Sequence, residues 1–292
     1  MDEDMAGPWD KEEYIKAKKW QDKAEAKLLD VTPCIAAWMD ICGFGSALEE
    51  SSWNLVNLQK HGILEMLSKV YQRAAHPFLI GVDPAPYETV LVINDGIART
   101  VDLGKPEFAS AVEFVFYLRD LFFAHNRLLS LTRTYGYSIR TVLAGGERVQ
   151  YSPETFTGNS VLQHDDVNIS EFGRKLLERN FVYNPSEFQL NTAFAKAYSI
   201  DSLGTKFGFR VGNFYIESSF WEKLEPIPLL DIGRKNNSIL LSYNGSPALE
   251  FYFNEEIALD YKGLKLNSSE IYAMRVDADF EGEETYCELG KF

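Results

Sequence analysis

Met39-Asp-Ile-Cys-Gly-Phe-Gly-Ser-Ala-Leu-Glu-Glu50 is the stretch on which the fold turns. The apolar run leading into it, Cys34-Ile-Ala-Ala-Trp-Met39, has the length and composition of a buried strand. Gly43 and Gly45 then interrupt the run, and Ser46-Ala-Leu-Glu49 has the form of a capping box opening a helix. Asp40 therefore stands where a strand gives way to a turn with bare backbone amides. A carboxylate there can hold a cation while the amides hold an anion, or it can merely cap the turn.

Upstream, residues 9–30 are highly charged with scattered aromatics and predict an exposed helix. Downstream, apolar residues recur at helical spacing through 46–75, until His76-Pro77 ends the pattern. Residues 87–103 hold two β-rich runs joined at Asn94-Asp95-Gly96, a hairpin signal. A long apolar helix is expected over 107–133, then strands at Ser138–Ala144 and Arg148–Ser152 separated by Gly145-Gly146-Glu147. A polar insertion (153–182) carries one short helix near Ser170–Glu178. Glu187–Tyr198 reads as a helix, Arg210–Glu217 as a strand, and the chain beyond 237 as short β runs with Asn-Gly and Lys-Gly turns.

This order, β-α-α-β-β-α-β-β-α-β with a β-rich end, predicts an α+β fold of the ferredoxin-like βαββαβ kind with a mostly antiparallel sheet. The expected organisation is an N-terminal helical extension (1–32), a main domain (33–275) and an acidic tail (276–292).

The chain has 292 residues, enough to bury a substantial core, and its composition is that of a soluble globular protein. Its three cysteines form no CxxC pair, which argues against zinc and against a disulfide framework. A net charge of −14 argues against tracking polymeric nucleic acid, since that binding rests on Lys and Arg neutralising phosphates. No apolar run approaches the roughly 20 residues of a membrane span, and the acidic start lacks a signal pattern, so the expected location is the cytoplasm. A small nucleotide held through divalent ions remains compatible with an acidic protein.

In a ferredoxin-like sheet the first strand and the central hairpin are neighbours, so Asp40 and Asp95 can face one cleft. With the backbone carbonyl of Ile41 they would form a hard-oxygen set for a pair of divalent ions; the alternative for each is ordinary turn chemistry. His61, His76, His125 and His164 share no ligand spacing and read as packing or surface residues, and His164-Asp165-Asp166 as a solvated loop.

Strand-Asp40-Ile-x-Gly-Phe-x followed by a hairpin carrying x-Asp95-Gly resembles the catalytic domain of class III nucleotide cyclases. Further segments extend the resemblance over roughly 34 to 275. Arg140-Thr-Val-Leu-Ala-Gly-Gly-Glu147 is similar to the family's R-I-G-I-H-x-G-E strand. Tyr183-Asn-Pro-Ser-Glu-Phe-Gln-Leu-Asn191-Thr-Ala193 is similar to its Y-D-x-W-G-x-x-V-N-x-A segment, Gly204–Ser218 to its G-x-x-G-x-I-x-V-S strand, and Leu259–Lys265 to its terminal V-K-G-K turn.

The resemblance implies two Mg²⁺ or Mn²⁺ ions on Asp40, Ile41 and Asp95, and phosphates cradled by the Ile41–Gly45 amides, Phe44 among them. Lys262 and Lys265 would contact the triphosphate. It implies head-to-tail homodimers with composite sites, Asn191, Asn184 and Lys196 acting on the partner's metal residues.

The sequence also departs from the family. Purine cyclases read the base with a Lys or Glu four residues before the second Asp; here that residue is Leu91, and Asn184 takes the second base position. Leucine cannot make that hydrogen bond, so the resemblance is nearest to the bacterial pyrimidine cyclases of Pycsar anti-phage defence. These convert UTP or CTP to a cyclic monophosphate sensed by a separate effector. Asn184 would bond a pyrimidine edge or, equally, serve an Asn-Pro turn. UTP is favoured over CTP from the resemblance alone. Ala195 replaces the family's transition-state Arg, leaving Lys196, Arg99 or Arg210 as substitutes, or a degenerate domain that binds without turnover.

A Rossmann reading of Gly43-Phe-Gly45 fails at Leu48, where the third glycine belongs, and no GxxxxGK[ST] loop exists.

Overall fold

The computed structural model describes residues 12–75, 88–103, 111–152, 185–261, 263–277 and 282–291. After a helix α1 (Glu12–Glu25), the first strand β1 spans Val31–Cys42. Helices α2 (Phe44–Glu50), α3 (Leu55–Lys60) and α4 (Ile63–Ala75) lead to the hairpin β2 (Glu88–Ile93) and β3 (Gly96–Asp102). Helix α5 (Ala111–Arg133) returns the chain to β4 (Ser138–Val149). Helix α6 (Thr192–Leu203), strand β5 (Phe214–Glu217) and helix α7 (Ser218–Leu224) follow. Strands β6 (Leu230–Arg234), β7 (Ser238–Tyr243), β8 (Ser246–Tyr261), β9 (Leu264–Val276) and β10 (Thr285–Glu288) complete it.

The sheet runs β2-β3-β1-β4-β5-β9-β8-β7-β6, with β10 on β9. Its first four strands are in the order 2-3-1-4, with helices between β1 and β2 and between β3 and β4, which is the ferredoxin-like βαββαβ arrangement. Among the described strands only β4 and β5 pair in parallel, through the α6 crossover. The α+β expectation with a mostly antiparallel sheet is thus met.

Alternation along β1 splits the interior into two layers. Ile35, Ala37, Met39 and Ile41 point into the larger core built on α2, α4 and α5. On the opposite face Trp38 joins Ala98, Val142, Tyr215 and the inner side of α6, and Asp40 shares that face by the same alternation.

Several elements differ from the sequence reading. The helix begins at Phe44 rather than Ser46: Gly43, at φ 93°, turns the chain early, and no side chain caps the start. The 46–75 helix is three helices, broken at Ser52 and Trp53 (φ 55° and 58°) and at Gly62 (φ 74°). Asn54 caps the second of them through bonds from the Val56 and Asn57 amides. The helix expected over Glu187–Tyr198 starts only at Thr192, and β5 only at Phe214.

Gly145-Gly146 is not a turn but the interior of one continuous strand. A Cβ on Gly145 would lie 2.3 Å from the Ser219 carbonyl oxygen, and one on Gly146 2.5 Å from the Ala193 nitrogen. The glycines let the starts of α7 and α6 close directly on the two faces of β4.

Part of the acidic C-terminal stretch is a strand rather than a tail, with Cys287 buried in the main core. The 153–182 insertion, its expected Ser170–Glu178 helix, His76, and His164-Asp165-Asp166 lie outside the described residues. His125 is a core residue as expected, with its Nδ1 2.8 Å from the Thr141 hydroxyl. His61 is exposed at the end of α3.

Candidate active site

Asp40 faces Gly96 on one side and Arg140 on the other in the β-ladder. The hairpin tip is tied to this point: the Ile41 backbone N–H donates to the Asp95 carbonyl at 3.1 Å. Asn94 makes the tip possible by taking φ 51°, a region asparagine tolerates. The two aspartates that the sequence singles out are therefore brought to one place by a backbone bond between their own segments.

Both carboxylates are half-buried. Burial, then the negative charges of Asp201 and Asp95, push Asp40 up to about 7 against the opposing pull of Arg140. Burial likewise raises Asp95. Two oxygen-donor groups whose charged forms are disfavoured by burial and by neighbouring carboxylates suit a divalent cation, which relieves both penalties. Among the described residues no group of three His, Cys, Asp or Glu is arranged around an ion, so the fit rests on these two carboxylates and the Ile41 carbonyl. The thiol near the site, Cys42, is a poor nucleophile, because burial pushes it up to about 11; Cys34, at the other end of β1, is pushed up to about 12 in the same way.

The other candidate residues are distributed as follows. Leu91 lies on the same face as Asp40, aligned across β3 and β1 with Ala98 and Trp38, and packs with the Trp38 cluster. Phe44 turns its side chain into the main core, so only its backbone can meet a ligand. The Ile41 amide is engaged by Asp95 and is not open to phosphate, which narrows the amide cradle to the residues after it. Lys265 is exposed on the β8–β9 arm opposite Asp260. Asn184 and Lys262 lie outside the described residues.

Asn191 is buried at the start of α6. Its Oδ1 accepts from the Phe194 amide at 2.8 Å, while its Nδ2 donates to the Thr100 hydroxyl and the Glu187 carbonyl, both at 2.9 Å. Lys196 donates to the Gly145 carbonyl at 3.2 Å and lies 3.9 Å from Glu217. Neither meets the Asp40 of its own chain. The other end of α6, ten residues and thus about 15 Å along, is the end beside Asp40.

The substitutes considered for the missing arginine are engaged elsewhere. Arg99 holds Glu88 through two bonds, 2.6 and 2.7 Å, on the opposite face of the sheet. Arg210 holds Glu270 with Nε at 3.0 Å and Nη2 at 2.9 Å.

Three residues that sequence reasoning did not place at the site are Trp38, Arg140 and Asp201. Trp38 packs against Gly96, where a Cβ would come within 2.0 Å of its ring. Its indole N–H donates to Asp201 Oδ2 at 3.2 Å, and Arg140 Nε donates to Asp201 Oδ1 at 2.6 Å. Strand alternation two residues before Asp40 could have found Trp38. Nothing local signals Asp201, whose partner is 61 residues away.

No protein-family model matches the chain, and no curated protein matches it. Solved structures similar to it include the catalytic core of a rhodopsin-guanylyl cyclase with converted specificity bound to ATPαS, at 10% identity and TM-score 0.43, covering 83% of this chain and 97% of that one. The guanylate cyclase domain of RhGC from Catenaria anguillulae, bound to GTP, is similar at 10% identity and TM-score 0.41, with the same coverage. A non-canonical dimeric guanylyl cyclase domain of the RhoGC fusion protein from Blastocladiella emersonii is similar at 9% identity and TM-score 0.36, covering 83% of this chain and 96% of that one. The chemistry of the site rests on the chain's own residues.

Proposed function

We propose that this chain is a metal-dependent nucleotide cyclase acting on a pyrimidine nucleoside triphosphate, UTP before CTP. The observation that carries the proposal is the docking of the Asp95 hairpin tip on β1 beside Asp40, which collects two hard carboxylates at the turn leading into α2. Asp40, Asp95 and the Ile41 carbonyl would hold Mg²⁺ or Mn²⁺, and such ions, when bound, neutralise triphosphate charge and acidify a ribose hydroxyl. The backbone beyond Ile41 would orient the phosphates.

In the reaction the 3′-oxygen forms a bond to the α-phosphorus, the bond from that phosphorus to the bridging oxygen of the β-phosphate breaks, and pyrophosphate leaves. The hydroxyl proton passes to solvent. Catalysis of this kind is mostly positioning and charge stabilisation.

Leu91 supports the base assignment: an aliphatic side chain on the Asp40 face offers a purine edge no hydrogen bond. Asn184 would read the pyrimidine, and Lys262 and Lys265 would meet the triphosphate. Asn191 and Lys196, remote from their own Asp40, would serve the site of a second copy in a homodimer. A cyclic pyrimidine monophosphate made in this way would act as a messenger for a separate effector in anti-phage defence.

A second reading has its own observation. Ala195 is exposed where an arginine would steady the transition state, and Arg99 and Arg210 are held elsewhere, which favours a domain that binds nucleotide without turnover.

The test is incubation with Mn²⁺ and each of ATP, GTP, CTP and UTP, with products identified by mass spectrometry beside Asp40→Ala. Cyclic UMP or CMP that disappears in the variant is expected. Cyclic AMP or GMP would overturn the base assignment, and nucleotide binding with no product would establish the second reading.

A further inference from the structure

Arg140 is the cross-strand neighbour of Asp40, and both point to the α6 side of the sheet. A guanidinium in that position is the natural partner of a half-buried carboxylate, because the charge-assisted bond would offset its lost hydration. Yet the Asp40 carboxylate has no hydrogen-bond or ion-pair partner among the described residues, and Arg140 acts on it only through space.

The guanidinium is committed elsewhere. Its Nε donates to Asp201 Oδ1 at 2.6 Å, one terminal nitrogen to the Asp201 backbone carbonyl at 2.8 Å, and the other to the Phe209 carbonyl at 2.9 Å. Asp201 is itself fixed, since its second oxygen accepts the Trp38 indole N–H and its carbonyl also accepts the Gly204 amide that ends α6. The whole assembly is buried. A buried pair of this kind contributes little net stability compared with apolar packing, so its stability alone does not explain it.

We propose that Asp201 is a positioning residue: by holding Arg140 against the end of α6, it keeps the guanidinium off Asp40 and leaves that carboxylate open to a cation. The proposal rests on the reading of Asp40 and Asp95 as metal ligands. Without Asp201, Asp40 becomes the nearest anion available to Arg140, and a divalent ion must then displace an internal competitor.

The experiment is Mn²⁺ binding to the full-length protein, followed by the electron paramagnetic resonance signal of free Mn²⁺, with no nucleotide and no turnover. Asp201→Asn is expected to weaken Mn²⁺ binding about tenfold, a change equivalent to about 1.4 kcal/mol. In the Arg140→Gln background, where no guanidinium can compete, the same substitution should change affinity by less than about twofold, because the two effects share one cause.

An equal loss in both backgrounds would show that Asp201 acts through its own charge and would overturn the proposal, as would unchanged binding in Asp201→Asn. Should Asp201→Asn not fold, Arg140→Gln alone decides: binding at least as tight as wild type supports competition, and weaker binding overturns it. The metal reading fails separately, and this inference with it, when the wild type shows no Mn²⁺ binding that Asp40→Ala abolishes.

Discussion

Asp40 sets a carboxyl group in a place where folding alone would not put one. Its carboxyl is drawn toward its neutral form first by burial and then by Asp201 and Asp95. Groups held at such a disadvantage commonly serve function at the expense of stability. Asp40→Asn should therefore raise the melting temperature, by an amount equivalent to about 0.5–2 kcal/mol, while abolishing product formation. Thermal denaturation beside a product assay checks both halves, and a variant less stable than wild type would assign Asp40 a structural role. Asp40 and Asp95 were legible in the sequence because each sits at a local signal, a strand end and an Asn-Asp-Gly hairpin. Arg140 and Asp201 were not, because their significance lies in a contact between a strand and a helix that share no sequence neighbourhood.

At the scale of elements, the same distinction separates what could be read from what could not. A continuous apolar run gave β1, the Asn-Asp-Gly turn gave the β2–β3 hairpin and a long apolar stretch gave α5, since these elements are buried along most of their length. Gly145-Gly146 was misread as a turn, because glycine marks both turns and close approaches and only the partner decides between them. That partner yields a prediction: Gly146→Ala drives a methyl into the backbone of Ala193 and the Thr192 hydroxyl, and should cost more than about 3 kcal/mol or prevent folding. Urea denaturation would measure it, and a loss below about 1 kcal/mol would mean that α6 can lift off β4 at little cost.

The far end of the sheet carries a second test. Burial alone would raise the Glu250 carboxyl, but donors on Ser238, Lys235, Arg275 and Tyr252 outweigh it and hold Glu250 at about 2. With a folded value below the unfolded one of about 4.3, its contribution is present above that pH and is lost as pH falls toward 2. Glu250→Gln should thus be less stable than wild type at pH 7, with the gap closing between about pH 4 and pH 2. A gap that stays constant across that range would show that the carboxylate charge is not what binds β7, β8 and β9 together.

For the molecule as a whole, the decisive feature is that α6 presents different chemistry at its two ends. Asp201 closes on the Asp40 site of its own chain, while Asn191 lies about 15 Å away along the helix axis and Lys196 donates to Gly145, five residues and about 16 Å along β4 from Arg140, the neighbour of Asp40. One copy therefore cannot bring Lys196 to its own Asp40 without moving α6 off β4, where Gly146 lets the two backbones meet. On the proposed reading a second copy would supply it, and in a two-fold dimer each chain would contribute Asp40 and Asp95 to one site and α6 residues to the other. Lys196→Ala is the better probe than a change at Asn191, whose side chain caps α6 and whose loss would unsettle the helix. Asp40→Ala and Lys196→Ala should each be inactive alone. Mixed under conditions in which subunits exchange, half of the dimers carry both substitutions and each of those has one intact site, so about a quarter of wild-type activity should return. Exchange is verified with differently tagged chains. Activity that stays at zero in a mixture with proven exchange would place both residues in one chain's site and require α6 to move; activity retained by Lys196→Ala alone would remove that lysine from the reaction.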